Sequence, residues 1–326
     1  MQRFELLADK KHGTEILVYT CANLKPHEKA LIITDTMTAD IGDEIKKIAE
    51  IHCRQIRHVT IEPLKVHGQE PPGHVAQEML KSDVIFGLTK MSMAHTLARQ
   101  NASSRHARYL SLPDYNFNLL SSESLQVDFK KIALTVDRVA RVLDHGKKMV
   151  IISDKGTQLH ADLTGRKGNA APGFCSKRIH LASPPDIEAN IAPLEDQSEG
   201  ILVVDGSIPC QEIGLLHDDV TLEIKKGRIV NIAGKVASLL NDLFNRLQYS
   251  KTSVLGEIGF GLNPKAKLTG HMLEDEGCLG TVHFGFGSNT ALGGMNQVPF
   301  HLDMIVRNLT VSVDDQLILK QGIWAI

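Results

Sequence analysis

The sequence predicts an α/β domain joined to a β-rich mixed domain, and three observations carry that expectation. Up to about residue 145, short β-branched runs alternate with segments of helical spacing, the pattern of a three-layer α/β fold with a mostly parallel sheet. Beyond it the texture changes to short strand-like runs separated by turn signals. Within that second half, residues 255–307 place acids and imidazoles inside apolar strand-like pieces, which marks a metal site. The expected division is 1–146 for the α/β domain and 147–326 for the metal-binding one.

In chain order, Phe4, Leu6, Leu7, Ile16, Leu17 and Cys21 give a first helical region around Gly13. ALIITDT at 30–36 is a strand, followed by a helix with Ile41, Ile45, Ile48 and Ala49 on one side and Asp40 as its cap. HVTIEPL at 58–64 is the next strand, then a helix at 75–80, a strand at 83–89, a helix at 93–100 and a strand at 107–112. This half has neither Gly-x-Gly-x-x-Gly nor a Gly-Lys-Ser/Thr loop, so nothing in it points to nucleotide binding. His95, Arg99, Arg105 and His106 read as exposed helix or loop side chains and take no role.

KKIALTVDRVARVLD at 130–144 is an amphipathic helix and the expected bridge between the domains. After it MVIISDKGTQLHADLTG reads as a hairpin, with further strands in GILVVDG, VTLEIKKGRIVNIAG and LTVSVDDQLILKQG and one helix at 236–249. Glu188 lies between Pro184-Pro185 and Pro193, which hold it in an extended, rigid segment.

The 255–307 stretch has three strand-like pieces separated by glycine-rich or acidic turns. Glu257 sits in VLGEIGFG, His283 in TVHFGF, and His301 with Asp303 in FHLDMIV. Strand side chains alternate, so His301 and Asp303 share a face and can grip one ion. An ionised carboxylate in an apolar strand costs several kcal/mol unless it is paired or bound to metal. An isolated His-x-Asp is more often a satisfied core histidine beside a turn acid. Glu257, His283 and the run Glu274-Asp275-Glu276 within the same stretch shift the balance to metal.

Composition bounds the rest. A chain of 326 residues, 42% hydrophobic and 23% charged, with a net charge of −2, is that of a globular protein, and it does not favour nucleic acid or an anionic membrane. The first fifteen residues lack the apolar run of a signal peptide, and no later stretch is apolar enough to span a bilayer, so a cytoplasmic location is expected. The five cysteines are odd in number and contain no Cys-x-x-Cys, so reduced thiols are the expectation.

These residues together resemble the metallo-aminopeptidase family of aminopeptidase T and aminopeptidase S, over 157–322. The likeness rests on Glu188 in EANIAP, EDQSEGILVVDGS, Gly256-Glu257, Asp275-Glu276 before His283, and His301-x-Asp303. It implies a pair of divalent ions, zinc, cobalt or manganese, bound by Glu188, Glu257, Glu276, His283, His301 and Asp303. It also implies catalytic roles for Glu188, Glu257 and Glu276, a small peptide substrate and a homodimer. Two departures stand out. The Glu276–His283 spacing is two residues longer than in that family, which leaves Glu274 as an alternative, and Thr290 stands in the segment where the peptidases carry a tyrosine.

The same segment is similar to the 2,5-dihydroxypyridine 5,6-dioxygenase family in GFGLNPKA, GSNTALGG and PFHLD. That family has a histidine where Glu257 stands, which implies an Fe(II) site and a small aromatic ring as substrate. Four carboxylates neutralise two divalent ions, whereas one ferrous ion would leave two of them uncompensated. His283, His301 and Asp303 alone would still make a facial triad for iron. A metal-stabilised binding protein without chemistry is the remaining alternative.

Overall fold

The computed structural model describes residues 11–246 and 248–326. Ile16–Cys21 forms a π-helical turn; Phe4, Leu6, Leu7 and Leu247, which enter the expected first and last helices, lie outside the described residues. None of the described helices is long and apolar enough to cross a membrane.

The chain forms two compact units, and neither is one continuous stretch. The first contains the described residues up to Phe129 together with Gly173–Pro185; the second contains Lys130–Pro172 and Asp186–Ile326. The division therefore differs from a single cut after residue 146. The helix expected as a bridge, Phe129–His145, falls almost wholly in the second unit.

The first unit is the expected parallel sheet. Its strands run in the order Gln55–Ile61, Lys29–Asp35, Val84–Leu88, Arg108–Ser111 and Leu181–Ala182, each parallel to its neighbour. Alternation sends Leu31 and Ile33 to one face, where Ile85, Val75, Met79, Ala98 and Ala102 pack with them. Thr34 lies on the opposite face beneath Gly42 of helix Ala39–His52, where an added Cβ would stand 2.4 Å from the Thr34 methyl. Helices thus cover both faces.

Two local expectations change. The helix expected to open on an Asp40 cap has Thr38 at its N-cap position, and Asp40 lies inside its first turn. The helix expected at 93–100 is Leu97–Ser104, opened by Thr96, whose hydroxyl accepts from the Arg99 N–H. That hydroxyl satisfies one of the amide donors a helix start leaves open.

The second unit holds two antiparallel sheets. One has eight strands, with Lys148–Ile152 and Gln158–Asp162 as the expected hairpin near its middle. The other carries the site, in the order Gly214–Leu215, Ser207–Ile208, His301–Val306, Val282–Gly287, Leu255–Gly261, Glu188–Ile191 and Asn169–Ala171. Its register explains the sequence pattern. On one face Ile258, Phe284 and Met304 fall in one cross-strand row, and Phe260, Phe286 and Leu302 extend the same apolar surface. All six are buried. This burial anchors the sheet, since fully burying one such side chain stabilises a fold by about 1.5–3 kcal/mol. The other face carries Glu188, Asn190, Glu257, His283, His301 and Asp303, alternating with glycines.

Candidate metal centre

Each metal-type side chain of that second face lies across the ladder from a glycine. Glu188 pairs with Gly261, His283 with Gly259, Glu257 and Asp303 with Gly285, and His301 with Gly287. At two of these positions the space a side chain would fill is occupied by a donor itself. A Cβ on Gly259 would lie 1.9 Å from His283 Nε2, and one on Gly285 would lie 2.7 Å from His301 Cε1 and 2.9 Å from Asp303 Oδ1. The repeated glycines of GEIGFG and HFGFG open the space in which the donors converge.

The donors fall into two overlapping sets. Glu188, Glu257 and His283 each place a donor atom within 4.8 Å of the others, and so do Glu257, His301 and Asp303. Glu257 belongs to both. His283 Nε2 stands 2.9 Å from Glu188 Oε2 and 3.6 Å from Glu257 Oε1. On the other side His301 Nε2 stands 3.4 Å from Glu257 Oε2 and 3.2 Å from Asp303 Oδ2. Ligand atoms around a divalent ion bound at about 2.0–2.2 Å are themselves separated by roughly 3 Å, so both sets have the right span. The two histidines belong to different sets, so a triad of His283, His301 and Asp303 around one ion is not the grouping the structure makes.

Neighbouring groups set the ring orientations. The Nδ1 of His301 lies 2.9 Å from the Ser288 carbonyl, which can only accept; the proton therefore sits on Nδ1 and leaves Nε2 for a cation. Ser288 opens the loop that runs to Phe300, and Glu195 fastens that loop. Its Oε1 accepts from Asn289 Nδ2 at 3.0 Å and from the Met295 N–H at 2.7 Å, while Oε2 is paired with Arg166. Thr290, in the segment where the peptidases have a tyrosine, begins a short exposed turn in this loop.

Glu276, the sixth expected ligand, follows the short helix Met272–Asp275 and is not in either donor set. Its Oε1 has no hydrogen-bond partner among the described residues. Burial, then the charges of Asp303 and Asp186, push its carboxyl well above the usual range. Glu274, the alternative, has Thr269 Oγ1 3.4 Å from its Oε2, and Asp275 is consumed by Ser207 and the Thr269 and Gly270 amides.

Two residues beside the donors were not anticipated. Asn190 donates from Nδ2 to Glu188 Oε1 at 2.8 Å and to Glu257 Oε1 at 2.7 Å. Asp186 is buried, with Oδ1 unpartnered among the described residues; burial and then the Glu188 charge raise its carboxyl well above normal. An asparagine in a strand carries no signal of its own, and Asp186 reads as a turn acid after two prolines. Glu188 was visible only because the rest of the set was.

Electrostatics fits cation binding. Burial opposes the charged form of both imidazoles most strongly, yet Glu188 and Glu257 outweigh it at His283, and Asp303 and Glu257 outweigh it at His301, so both titrate well above an ordinary histidine. Burial raises Glu188, whereas at Glu257 the hydrogen bonds and charges of the two histidines overcome burial and hold the carboxyl well below the usual range. Without metal the cluster is held together by protons on imidazole. These pairings stabilise the metal-free fold fully below the unfolded histidine pKa, and the contribution is lost as pH rises through the folded values. A cation needs neutral imidazole, so its binding near neutral pH is expected to release protons and to tighten as pH rises. Titration calorimetry with Zn²⁺ in buffers of different protonation enthalpy checks this: the heat should vary with the buffer in the sense of net release, and a buffer-independent heat would contradict it. Mixed carboxylate and imidazole donors, a glycine-lined cradle and orphaned acid oxygens all suit divalent metal.

Comparison with known proteins agrees on family and fold. A family model described as NicX, 2,5-dihydroxypyridine 5,6-dioxygenase, matches residues 13–325. A Pseudomonas putida KT2440 protein described as 2,5-dihydroxypyridine 5,6-dioxygenase is 29% identical over 192 residues, 56% of this chain and 55% of that protein. The chain thus spans about half the length of that relative. Among solved structures, the 2,5-dihydroxypyridine dioxygenase of the same strain superposes with a TM-score of 0.79 at 20% identity, covering 98% of this chain and 96% of that one. Wild-type AmpT from Thermus thermophilus gives 0.72 at 13% identity, covering 98% and 99%. At these identities the two structures establish a shared fold.

Proposed function

The chain belongs to the 2,5-dihydroxypyridine 5,6-dioxygenase family, whose fold it shares with AmpT, and within that frame we propose that it is a hydrolase with two divalent cations, an aminopeptidase acting on small peptides. The observation that carries this reading is the position of Glu257, one carboxylate common to two donor sets, each with its own histidine and its own second acid. Zinc, cobalt or manganese suits such donors. When bound, a pair of such ions supplies a water of lowered pKa and polarises a carbonyl oxygen.

The protein's own groups then divide the work. Glu257 orients both positions from between the histidines. Glu188, with Oε1 on Asn190 and Oε2 beside His283, serves as a ligand of the first position. Glu276, whose Oε1 has no partner among the described residues, is the acid suited to take a proton from water and return it to a leaving amine. The free amine of a peptide would reach the cluster past His301, the most exposed of the donors, and holding that amine at one cation would confine cleavage to the first residue.

The family match and the 29% identical relative favour a second reading, ring cleavage by an Fe(II) dioxygenase. One set of assays separates the two. Metal-free protein reloaded with Zn²⁺, Co²⁺ or Mn²⁺ is expected to release amino acids from aminoacyl substrates. Oxygen uptake with Fe(II) and a hydroxylated pyridine, with no hydrolysis under any ion, would overturn the peptidase reading in favour of the dioxygenase.

A further inference from the structure

Asn190 is buried among the carboxylates without contributing a charge, and its amide is oriented from behind. Its Oδ1 accepts from Asn169 Nδ2 at 3.0 Å, which turns the NH2 group toward the acids. Both protons are then used, one on Glu188 Oε1 and one on Glu257 Oε1. Gly259 pairs with Asn190 on one side and His283 on the other, and a Cβ there would stand 1.9 Å from His283 Nε2.

The consequence lies in what each oxygen remains free to do. With Oε1 of Glu188 engaged, its Oε2 is the oxygen that faces His283. With Oε1 of Glu257 held on the His283 side, Oε2 is turned to His301. A carboxylate free to rotate about its last bond would put both oxygens on whichever ion arrived first. We infer that Asn190, aligned by Asn169, is the positioning residue that splits the Glu257 carboxylate between two cation positions and so allows the second ion to bind once the first is in place. This rests on the two-cation reading above.

The test is a stepwise calorimetric titration of metal-free protein with Zn²⁺, comparing wild type with Asn190→Ala, Asn190→Asp and Asn169→Ala, alongside the thermal midpoint of each metal-free protein. Wild type is expected to take two ions per chain. Asn190→Ala should keep one of them and bind the second at least tenfold more weakly. Asn190→Asp keeps the volume but loses both donors, so it should weaken the second step as well. Asn169→Ala leaves the amide in place but unaligned and should give a smaller loss in the same step. A merely structural role would lower the thermal midpoint and weaken both steps alike, and that result would overturn the inference. So would two-ion binding with unchanged constants in both alanine variants. A wild type that takes a single ion would instead refute the two-cation reading on which the inference stands.

Discussion

Glu257→Ala should remove both cations, because it deletes the one donor the two sets share. The expected result is a protein that retains less than a tenth of the wild-type metal after desalting and loses activity by a factor of about 10²–10³, the scale set by losing a group that stabilises developing charge. The metal-free fold should suffer too. The pairing with His283 and His301 holds the Glu257 carboxyl down, so its contribution is present above the unfolded glutamate pKa and disappears as pH falls through the folded value. Removing one partner of a buried pair costs about 3–5 kcal/mol at neutral pH. Glu188→Ala or Asp303→Ala, each in a single set, should cost one ion and spare the other. Equal loss from all three variants would mean that the sets are not distinct.

Gly259→Ala carries the next largest expected effect, although it touches no donor chemically. A methyl at that position stands 1.9 Å from His283 Nε2 and 2.2 Å from Cε1, closer than atoms can approach. His283 is buried, so the ring has nowhere to turn and either it leaves the cluster or the strands part. Overpacking of this kind costs about 1–3 kcal/mol, and the displaced ligand should reduce metal affinity about 100-fold, the upper end of what misorienting a ligand does. Gly285→Ala is the control. Its methyl would meet His301 Cε1 at 2.7 Å and Asp303 Oδ1 at 2.9 Å, both longer approaches than at Gly259, and the His301 ring is one-third exposed and can swing outward, so the loss of stability should be smaller. Urea denaturation and metal titration of the two variants check the ranking, and equal stability losses would contradict it.

These two residues also show what the sequence could reveal. A side-chain period of two is a strong local signal, so His301 and Asp303 on one face followed from spacing alone. The parallel sheet of the first unit was legible for the same reason, because its buried strands are continuous apolar runs. The return of Gly173–Pro185 to that unit was not, since its strand is only Leu181–Ala182 and two residues make no pattern. Asn190 was missed because its importance lies in a hydrogen bond to Glu257, far away in sequence and set by register. Glu276 was placed by resemblance to other proteins, and the structure includes it in neither donor set.

Anomalous scattering from crystals loaded with Zn²⁺ or Mn²⁺ tests the shared carboxylate most directly. Two peaks roughly 3.5–4 Å apart are expected, one against Glu188, Glu257 and His283 and the other against Glu257, His301 and Asp303. A single peak, or a pair that Glu257 does not join, would contradict it.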